Sequence, residues 1–167
     1  MLLQLEPDPT LCDIHLNKMR LTFLTFVLFL SFPATSQAQD VLITGLQDYN
    51  FGSFSGDEDM DDTLCIYKSS GNKRYWVTAT GSGTGGAFEL QDGGNSFAYG
   101  VRWQKAGGNF GKLTAGVAKR YGGADKVNTD CGGVDNAGLR IEMRESNVAG
   151  APAGSYGGSL TLLIEPD

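Results

Sequence analysis

Short runs in which apolar residues alternate with other residues most strongly constrain how this chain folds. In residues 96–104, SFAYGVRWQ, every second side chain from Phe97 to Trp103 is aromatic or aliphatic, and residues 137–144, AGLRIEMR, repeat the pattern. A period of two is typical of a strand that buries one face. Both runs are therefore predicted to be half-buried β-strands.

Other short strands are predicted between turn signals. All 24 glycines lie after residue 38, which disfavours long helices and favours strands joined by turns. The other predicted extended segments are 41–46, 49–54, 63–68, 74–81, 87–91, 112–117 and a last strand within 153–167. Residues 55–62, SGDEDMDD, are predicted to be a polar acidic loop. The pattern indicates an all-β fold, an antiparallel β-sandwich.

The first part of the chain is predicted to be removed. Residues 19–38 have the layout of a secretory signal peptide, and an uncleaved anchor is the alternative. Residues 1–18 fit poorly before it and are interpreted either as a mis-assigned start, with Met19 as the true one, or as an extension. Residues 39–167 would then form a single exported domain with 11 basic and 16 acidic residues. We expect no membrane span in it and no binding to nucleic acid by charge.

The residue types needed for common catalytic and metal sites are scarce. The only histidine, His15, lies in the part predicted to be removed, which excludes Ser-His and Cys-His catalysis and the commonest zinc ligand. Asp57, Asp59 and Asp61 have the spacing that begins a calcium loop, but the sixth and twelfth positions lack the required Gly and Glu. We therefore favour a solvated loop, and expect no enzyme, no metal and no cofactor.

Two further predictions concern the cysteines and the aromatic residues. Cys65 and Cys131 are an even pair in an exported chain, which favours a disulfide over two free thiols. Among Tyr75, Trp76, Tyr99 and Trp103, three are predicted to lie in the core. Trp76 is on the face opposite Tyr75 and is predicted to be exposed, which makes it a candidate ligand contact.

Four segments together resemble the spore coat protein U domain family, which includes subunits of archaic chaperone–usher pili. They are YNFGSF (49–54), LCIYKSSGNKRYWVTATGSG (64–83), FAYGVRW (97–103) and AGSYGGSLTLLIEP (153–166), and they occur in the family's order. The resemblance implies an incomplete immunoglobulin-like sandwich whose last strand a partner supplies, first a periplasmic chaperone and then a neighbouring pilin-like subunit. It also implies an exported structural subunit that passes through the periplasm to the cell surface.

The same resemblance implies where the partner strand lies. The groove for it would include Leu160, Leu162 and Ile164 of the last strand and Leu42 of the first. The chain departs from the family in lacking a cysteine in VLITGL (41–46). This segment is either a donor strand, or the strand that closes the chain's own sheet, or neither, in which case the subunit donates nothing.

Two other functions are kept beside the pilin-like one. The first is a self-contained secreted β-sandwich that binds a ligand such as a carbohydrate. The second is a small hydrolase that uses two carboxylates, although nothing in the sequence singles out a pair. The three hypotheses differ in what they require: a partner strand, an exposed aromatic cluster, or two converging carboxylates.

Overall fold

The computed structural model describes residues 40–167, and the predicted signal peptide and the segment before it lie outside those residues. The described residues form β1 (Val41–Thr44), β2 (Glu58–Lys68), β3 (Arg74–Gly81), β4 (Glu89–Asp92), β5 (Asn95–Ala98), β6 (Gly100–Lys105), β7 (Gly111–Lys112), β8 (Lys119–Gly122), β9 (Ala137–Met143), α1 (Glu145–Val148) and β10 (Leu160–Pro166). Two single turns of 3₁₀ helix, Thr84–Gly86 and Cys131–Gly133, interrupt the loops.

Two antiparallel sheets enclose the core. The larger sheet has the strand order β1-β2-β9-β6-β7, and the smaller has the order β10-β3-β8. The strands β4 and β5 form a separate hairpin. This is an immunoglobulin-like antiparallel all-β fold, so the fold class predicted from the alternating runs is confirmed.

The core follows from the alternation. Val101 and Trp103 of β6 are fully buried against Tyr75 and Val77 of β3 in one cluster, while Arg102, between the first two, stays on the outer face. Since successive side chains of a strand point to opposite faces, each strand of this kind supplies one apolar face. The burial predicted for the run from Phe97 to Trp103 is confirmed.

Three predictions of secondary structure are wrong in detail. The acidic run is not a loop throughout, because β2 begins at Glu58 and Asp61 pairs in register with Arg140 of β9. Residues 49–54 form no strand, because no neighbouring strand pairs with them in the described chain. Within 112–117, only Lys112 belongs to a strand, and the chain then crosses to the other sheet before β8.

A disulfide holds the loop between β8 and β9 against β2. Cys65 and Cys131 are bonded, with Cα atoms 5.7 Å apart and a sequence separation of 66 residues, which confirms the predicted pairing. Closing a loop of this length contributes about 4 kcal/mol in the chain-entropy model. The side-chain amide of Asn136 accepts a hydrogen bond from Ile66 N at 2.8 Å and donates one to Ile66 O at 2.9 Å. The amide thereby replaces a peptide group of a neighbouring strand.

Candidate functional site

The last strand, β10, has one unpaired edge. Among the described strands it pairs only with β3, from Leu160 opposite Gly81 to Pro166 opposite Tyr75. No other backbone–backbone hydrogen bond of residues 40–167 involves residues 160–166. An unpaired edge presents a row of N–H and C=O groups to which another strand can add.

An open groove of about 1290 Å³ lies beside this edge, between the two sheets. The core residues that line it are Phe97, Tyr99, Leu139, Ile141 and Met143, and β10 contributes Leu160 and Leu162. The only charged residue in its lining is Asp48. Apolar side chains of an added strand would therefore be buried there without bringing a charge out of water.

Residues 151–159 before β10 line the groove as well, and another wall of it is the 46–54 segment, which joins β1 to β2. No residue in it makes a backbone–backbone hydrogen bond in the described chain. The segment is attached by Gln47 N, which donates to Asp62 Oδ2 at 3.1 Å, and by the half-buried rings of Tyr49, Phe51 and Phe54, which pack on the core. The edge of β10 and the 46–54 wall thus both carry unpaired backbone.

Burial changes the ionisation of the tyrosine in this wall. The hydroxyl of Tyr49 is buried near the carboxylate of Asp62, but it makes no hydrogen bond of normal geometry within residues 40–167. Burial, and to a smaller extent the charge of Asp62, raises the pKa of Tyr49 above its ordinary value. The side chain is therefore neutral at physiological pH. The aromatic rings are the apolar part of this wall, which also carries Gln47, Asp48, Asn50 and Ser53.

The structure separates the four residues that the resemblance places in the groove. Leu160 and Leu162 line it. Ile164, further along the same strand, packs on the core where β1 approaches β10, outside the groove lining. Leu42 is 44% exposed on the outer face of β1, because Val41 and Ile43 take the inward positions of that strand.

Trp76 lies on the outer face of the smaller sheet, where its side chain is already engaged. Its Nε1 donates to Asp167 Oδ1 at 3.1 Å, and the guanidinium of Arg120 is 5.8 Å from the ring centroid. The side chain is half-buried rather than freely exposed. Binding of a ligand at Trp76 stays a prediction.

The aspartates of the acidic run are paired with arginines. Asp61 accepts two hydrogen bonds from Arg140, both of 2.6 Å, and Asp59 lies 2.7 Å from Arg144. Hydrogen bonding to Asp61 raises the pKa of Arg140 above its ordinary value. Within residues 40–167, no group of three His, Cys, Asp or Glu side chains is placed to hold a metal ion.

The core residues that line the groove and the 46–54 segment were not predicted as site residues. The alternation assigns Phe97, Tyr99 and residues 139–143 to the core, but it does not show that part of this core is left uncovered. The segment YNFGSF carries a usable signal, because aromatic side chains at alternate positions next to glycine indicate an extended chain against an apolar surface.

The fold is similar to solved chains from fimbrial assembly. One comes from a chaperone–tip adhesin complex of CFA/I fimbriae, with a TM-score of 0.54 and 18% identity, covering 77% of this chain and 42% of that chain. Another comes from the CsuC–CsuE chaperone–tip adhesion subunit pre-assembly complex of the archaic chaperone-usher Csu pili of Acinetobacter baumannii, with a TM-score of 0.39 and 16% identity, covering 77% and 40%. The chain spans less than half the length of each.

No protein-family model matches the sequence, and no curated protein matches it. At 18% identity the first similarity shows the fold alone. In the described part of the chain, none of the helices has the length and apolar character needed to cross a membrane.

Proposed function

We propose that this protein is an exported, non-enzymatic subunit of a pilus or related surface assembly, and that it accepts an extended strand from a partner. The observation that carries the proposal is the unpaired edge of β10, whose inward side chains Leu160 and Leu162 line an open groove together with apolar residues of the core. Strand addition to a sheet edge supplies main-chain hydrogen bonds, and the groove takes alternate side chains of the added strand.

The partners are a periplasmic chaperone first and a neighbouring pilin-like subunit afterwards. The similarity to a chain of a chaperone–tip adhesin complex supports a chaperone as one partner, and the order is the one that the resemblance of the sequence to archaic pilins implies. The side chains of the added strand that enter the groove are uncharged and apolar, since Asp48 is the only charged residue in the groove lining.

The first strand bears on which segment is donated. β1 pairs with β2 of its own chain, with Val41 opposite Lys68 and Thr44 opposite Cys65, and it does not pair with β10. To act as a donor, β1 would have to leave this ladder and uncover the edge of β2. We therefore infer that the groove accepts a strand other than β1.

The test is binding of apolar strand peptides to the purified, oxidised protein. A peptide of residues 39–48 and a chaperone-type alternating apolar peptide are compared with scrambled versions, and thermal stability and oligomeric state are measured. We expect an alternating peptide to raise the melting temperature. Because β1 is already paired, we expect the 39–48 peptide to be the weaker ligand.

Two neighbouring leucines provide a matched control. Leu162→Asp places a charge in the groove, whereas Leu163→Asp places it on the outer face, where Leu163 is 52% exposed. Only the first should abolish peptide binding, and Leu162→Ala tests the same site if the Asp variant does not fold. A stable monomer that ignores every peptide would contradict the proposal and favour the self-contained binding module.

A further inference from the structure

Positive charge is concentrated in one part of an acidic chain. The whole sequence has 13 basic and 19 acidic residues, yet residues 93–124 contain no Asp or Glu. The basic residues in this stretch are Arg102, Lys105, Lys112, Lys119 and Arg120. The stretch includes β6, β7 and β8, so the side of the molecule built from these strands differs in charge from the rest.

Three cations lie in one cross-strand row on the outer face of the larger sheet. Arg102 is paired in register with Arg140 of β9 on one side and with Lys112 of β7 on the other. Like charges directly opposite each other destabilise a sheet. The row therefore depends on counter-charges for its stability.

The carboxylates nearby neutralise only part of the row. Asp61 binds Arg140, and Glu142 accepts from Arg102 Nε at 2.6 Å. The two terminal nitrogens of Arg102 make no hydrogen bond within residues 40–167, and Lys112 takes part in none of the ion pairs of that part of the chain. Arg102 and Lys112 thus keep donors for an anion from outside.

An aromatic ring and an amide lie on the same face. The guanidinium of Arg140 is 4.3 Å from the ring centroid of Phe110, which stands two residues before Lys112. Gln104 lies over Gly138, where a Cβ atom would come within 3.0 Å of Gln104 Cγ. We call the surface formed by Arg102, Gln104, Phe110, Lys112 and Arg140 the basic face.

We propose that the basic face binds an acidic polysaccharide. The two terminal nitrogens of Arg102 and the ammonium group of Lys112 bind a sugar carboxylate. Gln104 forms hydrogen bonds with sugar hydroxyls, and the side of the Phe110 ring away from Arg140 packs against a pyranose. Guanidinium groups match carboxylates in geometry, and a few placed polar groups around an aromatic surface give orientation.

A polysaccharide fits this surface better than nucleic acid or an anionic membrane. The formal net charge of the sequence is −6, so a densely charged polyanion is repelled by most of the molecule. A polyuronate carries at most one carboxylate per sugar, and the faces of its sugar rings lie between successive carboxylates. The Phe110 ring can pack against such a face. A nucleic-acid base also stacks on an aromatic ring, so it is the density of charge that disfavours nucleic acid here.

The test measures binding of the purified protein to alginate, a polyuronate, against neutral dextran and dextran sulfate at low and high salt. We expect binding to alginate that weakens as salt rises, and none to dextran. Lys112→Gln should lower the association constant by roughly tenfold. Phe110→Ala should lower it by roughly threefold without changing the salt dependence.

Lys73→Gln is the matched control, since it removes an exposed charge in the turn between β2 and β3 and should leave alginate binding unchanged. Equal losses in Lys73→Gln and Lys112→Gln, or no effect of Phe110→Ala, would overturn the proposal. So would stronger binding to dextran sulfate, single-stranded DNA or anionic vesicles than to alginate. None of these residues lines the groove, so either outcome leaves strand addition untouched.

Discussion

The two long edges of the sandwich are closed in different ways. At the β7–β8 edge the chain itself passes from one sheet to the other: Leu113 N donates to Val101 O at 2.9 Å, and Gly116 N donates to Ala79 O at 2.8 Å. At the β1–β10 edge the 46–54 segment makes no backbone–backbone hydrogen bond, and the groove stays open.

The difference shows which interactions make an edge self-sufficient. Both edges have apolar side chains, but only the β7–β8 edge combines them with backbone hydrogen bonds to both sheets. Since unpaired backbone in a sheet edge is an opening for another strand, the β1–β10 edge is where a partner can contribute most. Mutations of the same kind at the two edges should therefore have different effects.

The largest effect is expected from Leu113→Ala at the closed edge. Leu113 is 1% exposed, and truncation of a buried leucine costs about 3 kcal/mol because a cavity remains. Urea unfolding followed by tryptophan fluorescence measures the loss. Peptide addition should not restore it, and restoration would mean that the two edges are coupled.

Leu162→Ala makes the same change at the open edge and should cost only about 1 kcal/mol, since the side chain is half-buried. The same unfolding measurement with a bound strand peptide should show a larger loss, because the added strand buries Leu162. An equal loss with and without peptide would mean that the strand does not lie over this residue.

A tyrosine at each edge gives a smaller comparison. The buried hydroxyls of Tyr49 and Tyr121 have no hydrogen-bond partner in the described chain, so Tyr→Phe should change stability at neutral pH by less than about 1 kcal/mol. Burial, with a smaller effect of Tyr75, raises the pKa of Tyr121 to about 12.

The pH dependence follows from the sign of these shifts. A phenol whose pKa is raised in the folded state contributes stability that is present below pH 10 and is lost as the pH rises towards the folded-state value. Wild-type protein should lose stability between pH 10 and about 12, and Tyr121→Phe should lose less. Ultraviolet titration of phenolate absorbance and unfolding at both ends of this range measure it. A lower phenolate absorbance of folded Tyr121→Phe than of wild type at pH 10 would contradict the burial of Tyr121.

The smallest effect is expected from Lys119→Gln. Lys119 Nζ donates to Lys112 O at 3.2 Å across the closed edge, but the side chain is exposed, so its loss should cost a few tenths of a kcal/mol at most, roughly the value of an exposed polar contact. Hydrogen exchange of the residues in β7 is the sensitive measurement. A large increase would mean that this contact, rather than the backbone crossing, closes the edge.

The sequence predicts the layers of the fold better than its edges. Alternation identifies β3, β6, β9 and the inward residues of β10, because burial of one face determines those patterns locally. It fails for β2. The aspartates of this segment are typical of a solvated loop, and only the structure shows that Asp61 pairs with Arg140 and Asp59 with Arg144. Pairing across the sheet cannot be read from a single segment.

The candidate site was predictable only in part for the same reason. Leu160 and Leu162 follow from the alternation and the resemblance, and both line the groove. Leu42 does not line the groove. Which side chains of β1 point inward depends on the register of β1 with β2, and the sequence does not show that register. The openness of the groove depends on how the 46–54 segment lies, which no local pattern determines.

The strand order also limits the sequence of events during biosynthesis. Asp61 and its partner Arg140 are 79 residues apart, and Trp76 and Asp167 are 91 residues apart. Domains are synthesised from the N-terminus, so β2 and β3 emerge long before β9 and β10. Before then the β1–β2 and β3–β8 ladders and the β4–β5 and β6–β7 hairpins can form. Until β9 is made, the larger sheet lacks the strand between β2 and β6, and until β10 is made, one edge of β3 is unpaired. The chain is most prone to aggregate during that interval.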